Sequence, residues 1–219
     1  MSSEQQAAAK DRILTAAAQV FARHGYGAAG IREIAQVAEV NISMISYYFG
    51  GKEGVLKEII SQAFARYMAM LDECLDPAKE LDTNIRCVAH GLIRFFRQRT
   101  EEAIVAFDIM PLTIPESLDL IAGFKLKILE KIGSVFAREG FGMDDPASFG
   151  LVAGTMPMLV LTHFQGLFAM QETSKLDDLR ERYNLRYDDA YFDDYAEKMA
   201  DFVLGGIERL KARKQGGAE

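Results

Sequence analysis

Apolar residues recur along this chain at intervals of three and four, the period of an amphipathic helix, and the strict alternation that builds half-buried strands is scarce. Ile13, Ala17, Val20, Phe21 and His24 lie on one such stripe, which stops at Gly25. Ile31, Ile34, Ala35 and Ala38 form a shorter one behind Gly30, with Glu33 three residues on, the outline of a capping box whose hydroxyl residue is replaced by glycine. Asn41 is placed to cap a third helix through Phe49, which Gly50 and Gly51 end. A long fourth stripe carries Leu56, Ile59, Ile60, Ala63, Phe64, Tyr67, Met68, Leu71 and Leu75 up to Pro77. Further helices are predicted over about 82–98, 101–109, 116–139, 146–171 and 188–211, divided by Pro111, Pro115, Gly140, Gly142 and Pro146. The pattern predicts an all-α chain of about nine helices, with a domain boundary inside the fourth and no linker there.

Three short helices before a longer one, with the tight turn Glu39-Val40-Asn41 between the second and third, outline a helix-turn-helix. Such a module sets a short exposed helix into the roughly 12 Å wide major groove of DNA. The third helix fits that task. Ile45 and Phe49, four apart, anchor it inward, leaving Ile42, Ser43, Met44, Ser46, Tyr47 and Tyr48 in part for the outer face. Two tyrosines, two serines and a methionine suit phosphate hydrogen bonds and thymine-methyl contacts better than they suit solubility.

The segment GIREIAQVAEVNISMISYYFGGKEGVL resembles the signature of the TetR/AcrR family of bacterial transcription regulators, with matches at Ile31, Arg32, Glu33, Ile34, Ala35, Ala38, Val40, Ile45, Tyr48, Phe49, Lys52, Glu53 and Leu56. RILTAAAQVFARHGY is similar to the family's first helix. The resemblance covers about residues 10–57, a quarter of the chain. It implies an N-terminal helix-turn-helix DNA-binding domain, residues 1–57, and a C-terminal helical ligand-binding and dimerisation domain, residues 58–219. It also implies roles: Lys52 and Tyr48 on phosphates, Arg32 on a phosphate or outer base, and Ile42, Ser43, Met44 and Tyr47 in the groove. Simpler readings stand beside these: Arg32 pairing with Glu33, Tyr48 as a core aromatic with a wet hydroxyl, Lys52 as a solvated lysine. The chain departs from the family pattern at Ala29-Gly30 (usually two hydroxyl residues), Glu39 (commonly glycine), Ser46 (often tyrosine) and Gly50-Gly51, which bears on the bases read.

Composition narrows the partners. Hydrophobic residues make up 49% and charged residues 26%, as in an ordinary folded chain, and the net charge of −7 disfavours a broad nucleic-acid-coating surface. Lys10, Arg12, Arg23, Arg32, Lys52 and Lys57 balance Glu4, Asp11, Glu33, Glu39, Glu53 and Glu58, so the first 60 residues are neutral. One such module binds DNA weakly at physiological salt, and two in a homodimer on a palindrome supply the missing affinity.

By the resemblance, the rest of the chain senses a small molecule and dimerises. Phe95, Phe96, Phe107, Met110, Met156, Leu159, His163, Phe164 and Phe168 are the candidates for a pocket holding a largely hydrophobic effector, consistent with 14 Phe and 10 Met. Leu151, Ala153 and Gly154 in the 146–171 helix, and Tyr195, Met199, Phe202 and Val203 in the last, are the candidates for a four-helix dimer interface. Pro157 is expected to kink the former helix, and Ile109-Met110-Pro111 is a candidate moving turn. Plain intrachain core is the alternative reading of both residue sets.

Enzymatic readings find no support: no Gly-rich phosphate loop, no Gly-x-Ser-x-Gly, and histidines at 24, 90 and 163 without metal-ligand spacing. The pairs Asp177-Asp178, Asp188-Asp189 and Asp193-Asp194 lack a calcium loop's order and read as solvated acidic loop. Cys74 and Cys87 form neither a disulfide framework nor a zinc site. No cofactor, metal or membrane partner is expected. The apolar stretch from Leu151 to Met170 reads as a buried helix, and the expected compartment is the cytoplasm. The leading reading is a homodimeric repressor of a palindromic double-stranded DNA operator, released by a small effector. A redox regulator using the two cysteines and a helical interaction protein that has lost DNA binding are the alternatives.

Overall fold

In the computed structural model, which describes residues 3–108, 114–142, 144–173 and 175–216, the described residues form helices and no strand. They are α1 (Ser3–Ala28), α2 (Ile31–Val37), α3 (Ile42–Phe49), α4 (Lys52–Cys74), α5 (Leu81–Gln98), α6 (Thr100–Phe107), α7 (Pro115–Phe136), α8 (Pro146–Glu172), α9 (Lys175–Tyr183) and α10 (Asp189–Gly216), with a 3-10 turn at Ala137–Glu139. The helix absent from the sequence reading is α9. Its Asp177 and Asp178, expected in a loop, sit in its first turn, where carboxylates offset the positive end of the helix dipole. Asp188 likewise accepts from the Tyr191 amide at 3.0 Å at the start of α10.

The chain forms two compact units. One groups α1–α3, α4 through Tyr67, α6 and α7 through Lys125; the other groups the remainder of α4 and α7 with α5 and α8–α10. These units divide inside α4 after Tyr67, ten residues beyond the expected division at 57, and the first unit also takes in a later segment of the chain.

In the first unit α1 packs on α2 and α6, and α2 on α3. The α1 stripe Ile13, Ala17, Val20 and Phe21 is buried, as are Ile34, Ile45, Leu56 and Ile60. Helix α6 is covered along Ala103, Ile104, Val105 and Ala106. Its buried Glu102 receives Arg66 of α4 at 2.6 Å and Arg99 at 2.7 Å, and Arg99 also approaches Asp11 of α1 at 3.6 Å. Removing one partner of such a pair leaves a buried charge uncompensated, which costs about 3–5 kcal/mol. Phe64 stacks on Phe107 and on Phe124, at 4.9 and 4.8 Å between centroids.

In the second unit α5, α8 and α10 pack on one another. Each contributes one ring to a continuous stack: Phe96 on Phe164 at 5.4 Å, and Phe164 on Phe192 at 5.6 Å. Arg86 of α5 binds Asp82, Glu197 and Asp201, and His90 Nε2 lies 2.7 Å from Glu197, so α5 and α10 are also joined at the surface. Those hydrogen bonds from His90 and Arg86 hold the Glu197 carboxyl below the usual range. Cys74 and Cys87, expected to form no disulfide framework, are joined as a single disulfide between α4 and α5. Gly91 makes room beside it: a Cβ there would meet Met70 Sδ at 2.7 Å. Helix α8 alone is long and apolar enough to cross a membrane among the described residues; only a third of its most apolar window is buried in the protein, less than the buried helix expected from the sequence. Pro157 lies within it without ending it.

Candidate nucleic-acid interface

The turn before α3 is built by backbone geometry. Val40 N donates to Ala35 O at 3.0 Å and Glu39 N to Gln36 O at 3.2 Å, which forces Glu39 to φ 53°, the left-handed region that glycine prefers. Asn41 caps α3 as expected: its Oδ1 accepts from Ser43 N at 2.9 Å and from Ser43 Oγ at 2.7 Å. The Ser43 hydroxyl proton is therefore committed to Asn41, and Ser43 presents acceptor lone pairs outward.

Only Ile45 of α3 is buried. Tyr47 is 79% exposed and Ile42 40%, Ser43 is exposed, and Met44 and Tyr48 are half-buried. Ser46 is exposed as well, so all six residues the sequence assigns in part to the outer face of α3 are exposed or half-buried. Tyr47 and Tyr48 meet edge to face at 5.1 Å. Arg32 is exposed, and it does not pair with Glu33, which faces His24 Nε2 at 3.3 Å instead.

Lys52 has a different setting from the one expected. Its Nζ donates to Tyr26 O at 2.8 Å and Ala29 O at 3.0 Å and lies 4.4 Å from the Tyr26 ring centre. Helical geometry in α1 breaks at Gly25, φ 74°, and the ammonium binds carbonyls of the chain leaving that break. Two of its three protons are spent inside the protein.

Two features were missed. Gly54, in the first turn of α4, packs directly on the Phe49 carbonyl, so any Cβ would overlap the α3 backbone. The available signal was a glycine early in a predicted helix, where it costs about 1 kcal/mol relative to alanine. The second is the start of α1. It begins at Ser3, and Gln6 lines a groove of about 510 Å³ with Ser43, Met44, Tyr47 and Tyr48. Lys10 Nζ lies 5.5 Å from the Tyr48 ring centre.

The family model described as bacterial regulatory proteins, tetR family, matches residues 13–59, the segment holding this whole arrangement. In this segment the chain carries the DNA-binding region of the TetR family. Among curated relatives, a probable HTH-type transcriptional regulator, YttP of Bacillus subtilis, is 38% identical over 63 residues, 29% of this chain and 30% of that protein. The HTH-type transcriptional repressor NicS of Pseudomonas putida is 36% identical over 58 residues, 26% of this chain and 27% of that protein. The matches thus span about a third of these relatives' own length. TetR-fold neighbours cover nearly everything at low identity. A tetR-family regulatory protein from Rhodococcus has TM-score 0.68 at 18% identity, covering 94% of this chain and 98% of that one. The FadR regulator of Bacillus subtilis, solved with stearoyl-CoA, has TM-score 0.61 at 18% identity, covering 90% and 98%. These neighbours establish the all-α TetR fold.

The other candidate residues separate. Phe107 belongs to the first unit's aromatic cluster. Phe95, Phe96, Met156 and Phe164 are buried in the second, and Phe168 is half-buried. Leu159 is 38% exposed, so it lines no interior. His163 stacks on Tyr195 at 4.4 Å, and its Nε2 lies 3.2 Å from Tyr191 Oη. Burial holds this imidazole below its ordinary value and, with Tyr187, Tyr195 and Asp194 adding to it, pushes the Tyr191 hydroxyl up to about 12. Met110 and the turn around it lie outside the described residues.

The interface candidates also divide. Met199 and Val203 are buried in the second unit's own core, and Val203 also lines the floor of a groove along α8 and α10. Leu151 and Phe202 are 60% and 68% exposed, Ala153, Gly154 and Tyr195 are half-buried, and the sequence missed Met158, at 59%. Leu151, Thr155, Phe202, Gly205 and Gly206 line a shallow groove of about 750 Å³ along α8 and α10.

Proposed function

We propose that this TetR-family protein is a cytoplasmic homodimeric repressor that binds a palindromic double-stranded DNA operator and leaves it when a small, largely hydrophobic effector binds. The accessible surface of α3 carries the reading: a capped two-turn helix with Ile42, Met44 and Tyr47 directed outward from a packed unit. Residues 1–57 are assigned to DNA reading, and 58–219 to effector and partner.

The exposed apolar faces of α8 and α10 support a second copy as their occupant. Leu151, Met158, Leu159 and Phe202 stand in water in one protomer, and Gly205-Gly206 permits close helix approach. Two such protomers form a four-helix bundle and present two α3 helices to one operator. An apolar effector is supported by the Phe64, Phe107 and Phe124 stack. The Ser117 hydroxyl, buried with no partner among the described residues and seven positions before Phe124 on α7, offers one hydrogen bond. The FadR neighbour's stearoyl-CoA and the name of NicS as a repressor agree with the effector class and the sign of regulation. Effector binding acts by favouring one of two states of the dimer, which requires only differential affinity.

The test is a titration of labelled DNA from upstream of its own gene at two salt concentrations, with and without stearoyl-CoA as an effector probe. The reading expects salt-dependent binding of one dimer per site, and its release by the acyl-CoA. A second reading is favoured by the Cys74–Cys87 disulfide, which ties α4 to α5: oxidation of this pair modulates DNA affinity. Equal operator affinity with and without dithiothreitol removes it.

A further inference from the structure

We infer that the first turns of α1 belong to the DNA contact, with Gln6 and Lys10 holding a backbone phosphate beside the base pairs that α3 reads; this rests on α3 being the reading helix. Helix α1 starts well before its core stripe. Glu4 through Ala8 are all exposed, and the first buried residue is Ala9. These two turns bury little of their own, so intrachain packing does not account for them. They do reach α3: in the groove of about 510 Å³, Gln6 is joined by Ser43, Met44, Tyr47 and Tyr48.

The chemistry of that groove selects an anion carried by DNA. Gln6 and Lys10 are four apart and lie within roughly 40° of each other around the helix, whereas Glu4 is roughly 160° from Gln6 on the far side. The side facing α3 therefore offers an amide and an ammonium, without that carboxylate. Lys10 forms no ion pair among the described residues, and its Nζ sits over the Tyr48 ring. Tyr48 adds a hydroxyl donor, while Ser43, its proton committed to Asn41, accepts and so faces a base amino group in preference to a phosphate. A phosphodiester oxygen between Lys10, Gln6 and Tyr48 is matched by donors, and the neighbouring base edge is left to Met44 and Tyr47. Lys52, with two protons spent on the carbonyls of Tyr26 and Ala29, is replaced by Lys10 as the principal phosphate cation on this side.

The test uses the full-length protein and the DNA site that wild type selects. Lys10→Ala is expected to weaken binding several-fold on every sequence and to reduce the slope of log affinity against log salt by about one per subunit. Gln6→Ala is expected to weaken binding with the slope unchanged. Neither alters the preferred bases. Ethylation interference on wild type should mark one phosphate per half-site that no longer matters for Lys10→Ala. Wild-type binding with Lys10→Ala unchanged in affinity, slope and interference pattern overturns the inference alone. Failure of wild type to bind any duplex overturns both it and the reading of α3.

Discussion

Gly54 in the first turn of α4 lies against the carbonyl of Phe49 at the end of α3, with no room between them for a Cβ. The angle at which α3 leaves the unit is set by this contact, together with Gly50 and Gly51, whose φ values of 73° and 122° side chains resist.

Gly54→Ala must therefore move backbone. The expected outcome is a loss of about 1–3 kcal/mol in stability from the overlap, with operator affinity falling because α3 is displaced. Urea denaturation and a binding titration measure both; a variant with wild-type values in each would show the junction to be compliant.

Glu39→Gly is expected to act in the opposite direction. Glu39 occupies the left-handed region at φ 53°, and glycine there relieves about 0.5–1 kcal/mol net of its extra unfolded-chain freedom. It also removes an anion at the edge of the reading helix, so DNA affinity should rise. A lower denaturation midpoint would contradict this.

Phe202→Glu should give a folded monomer, because Phe202 is exposed in the protomer, whereas Met199→Glu, three residues earlier and buried, should unfold it. Sedimentation with circular dichroism separates the two. A dimeric Phe202→Glu at micromolar concentration would place the interface elsewhere.

Acid should weaken the second unit through His163. Burial depresses its folded-state value, so the unfolded chain takes up the proton first as pH falls. Its contribution is complete above the unfolded value of about 6.5 and is lost progressively below it. Denaturation at about pH 7.5 and pH 5.5 should show a larger loss for wild type than for His163→Gln; equal losses would assign the pH dependence to the carboxylates.

Much of this was legible in the sequence, for identifiable reasons. Asn41 and Ile45 declare themselves because capping and burial are local, periodic signals. The partners of Lys52 were not legible: they depend on where a kink at Gly25 leaves the carbonyls of Tyr26 and Ala29, more than twenty residues earlier. Met199 and Phe202 illustrate a second limit. They fall on neighbouring positions of one apolar helix, and only the packing of α5 and α8 decides which turns inward. The reach of α1 to α3 was hidden because an Ala/Gln-rich start has no hydrophobic period to mark it. Helix α9 was missed because its nine residues hold too few apolar positions to show one.

The central claim is that α3 reads DNA sequence, and the most direct measurement is selection from random duplex DNA by wild type, Met44→Ala and Tyr47→Ala. Wild type should recover a palindrome, and each variant should relax one position per half-site by about 1–3 kcal/mol with little change elsewhere. Recovery of the wild-type palindrome by both variants, at undiminished affinity, would contradict the account.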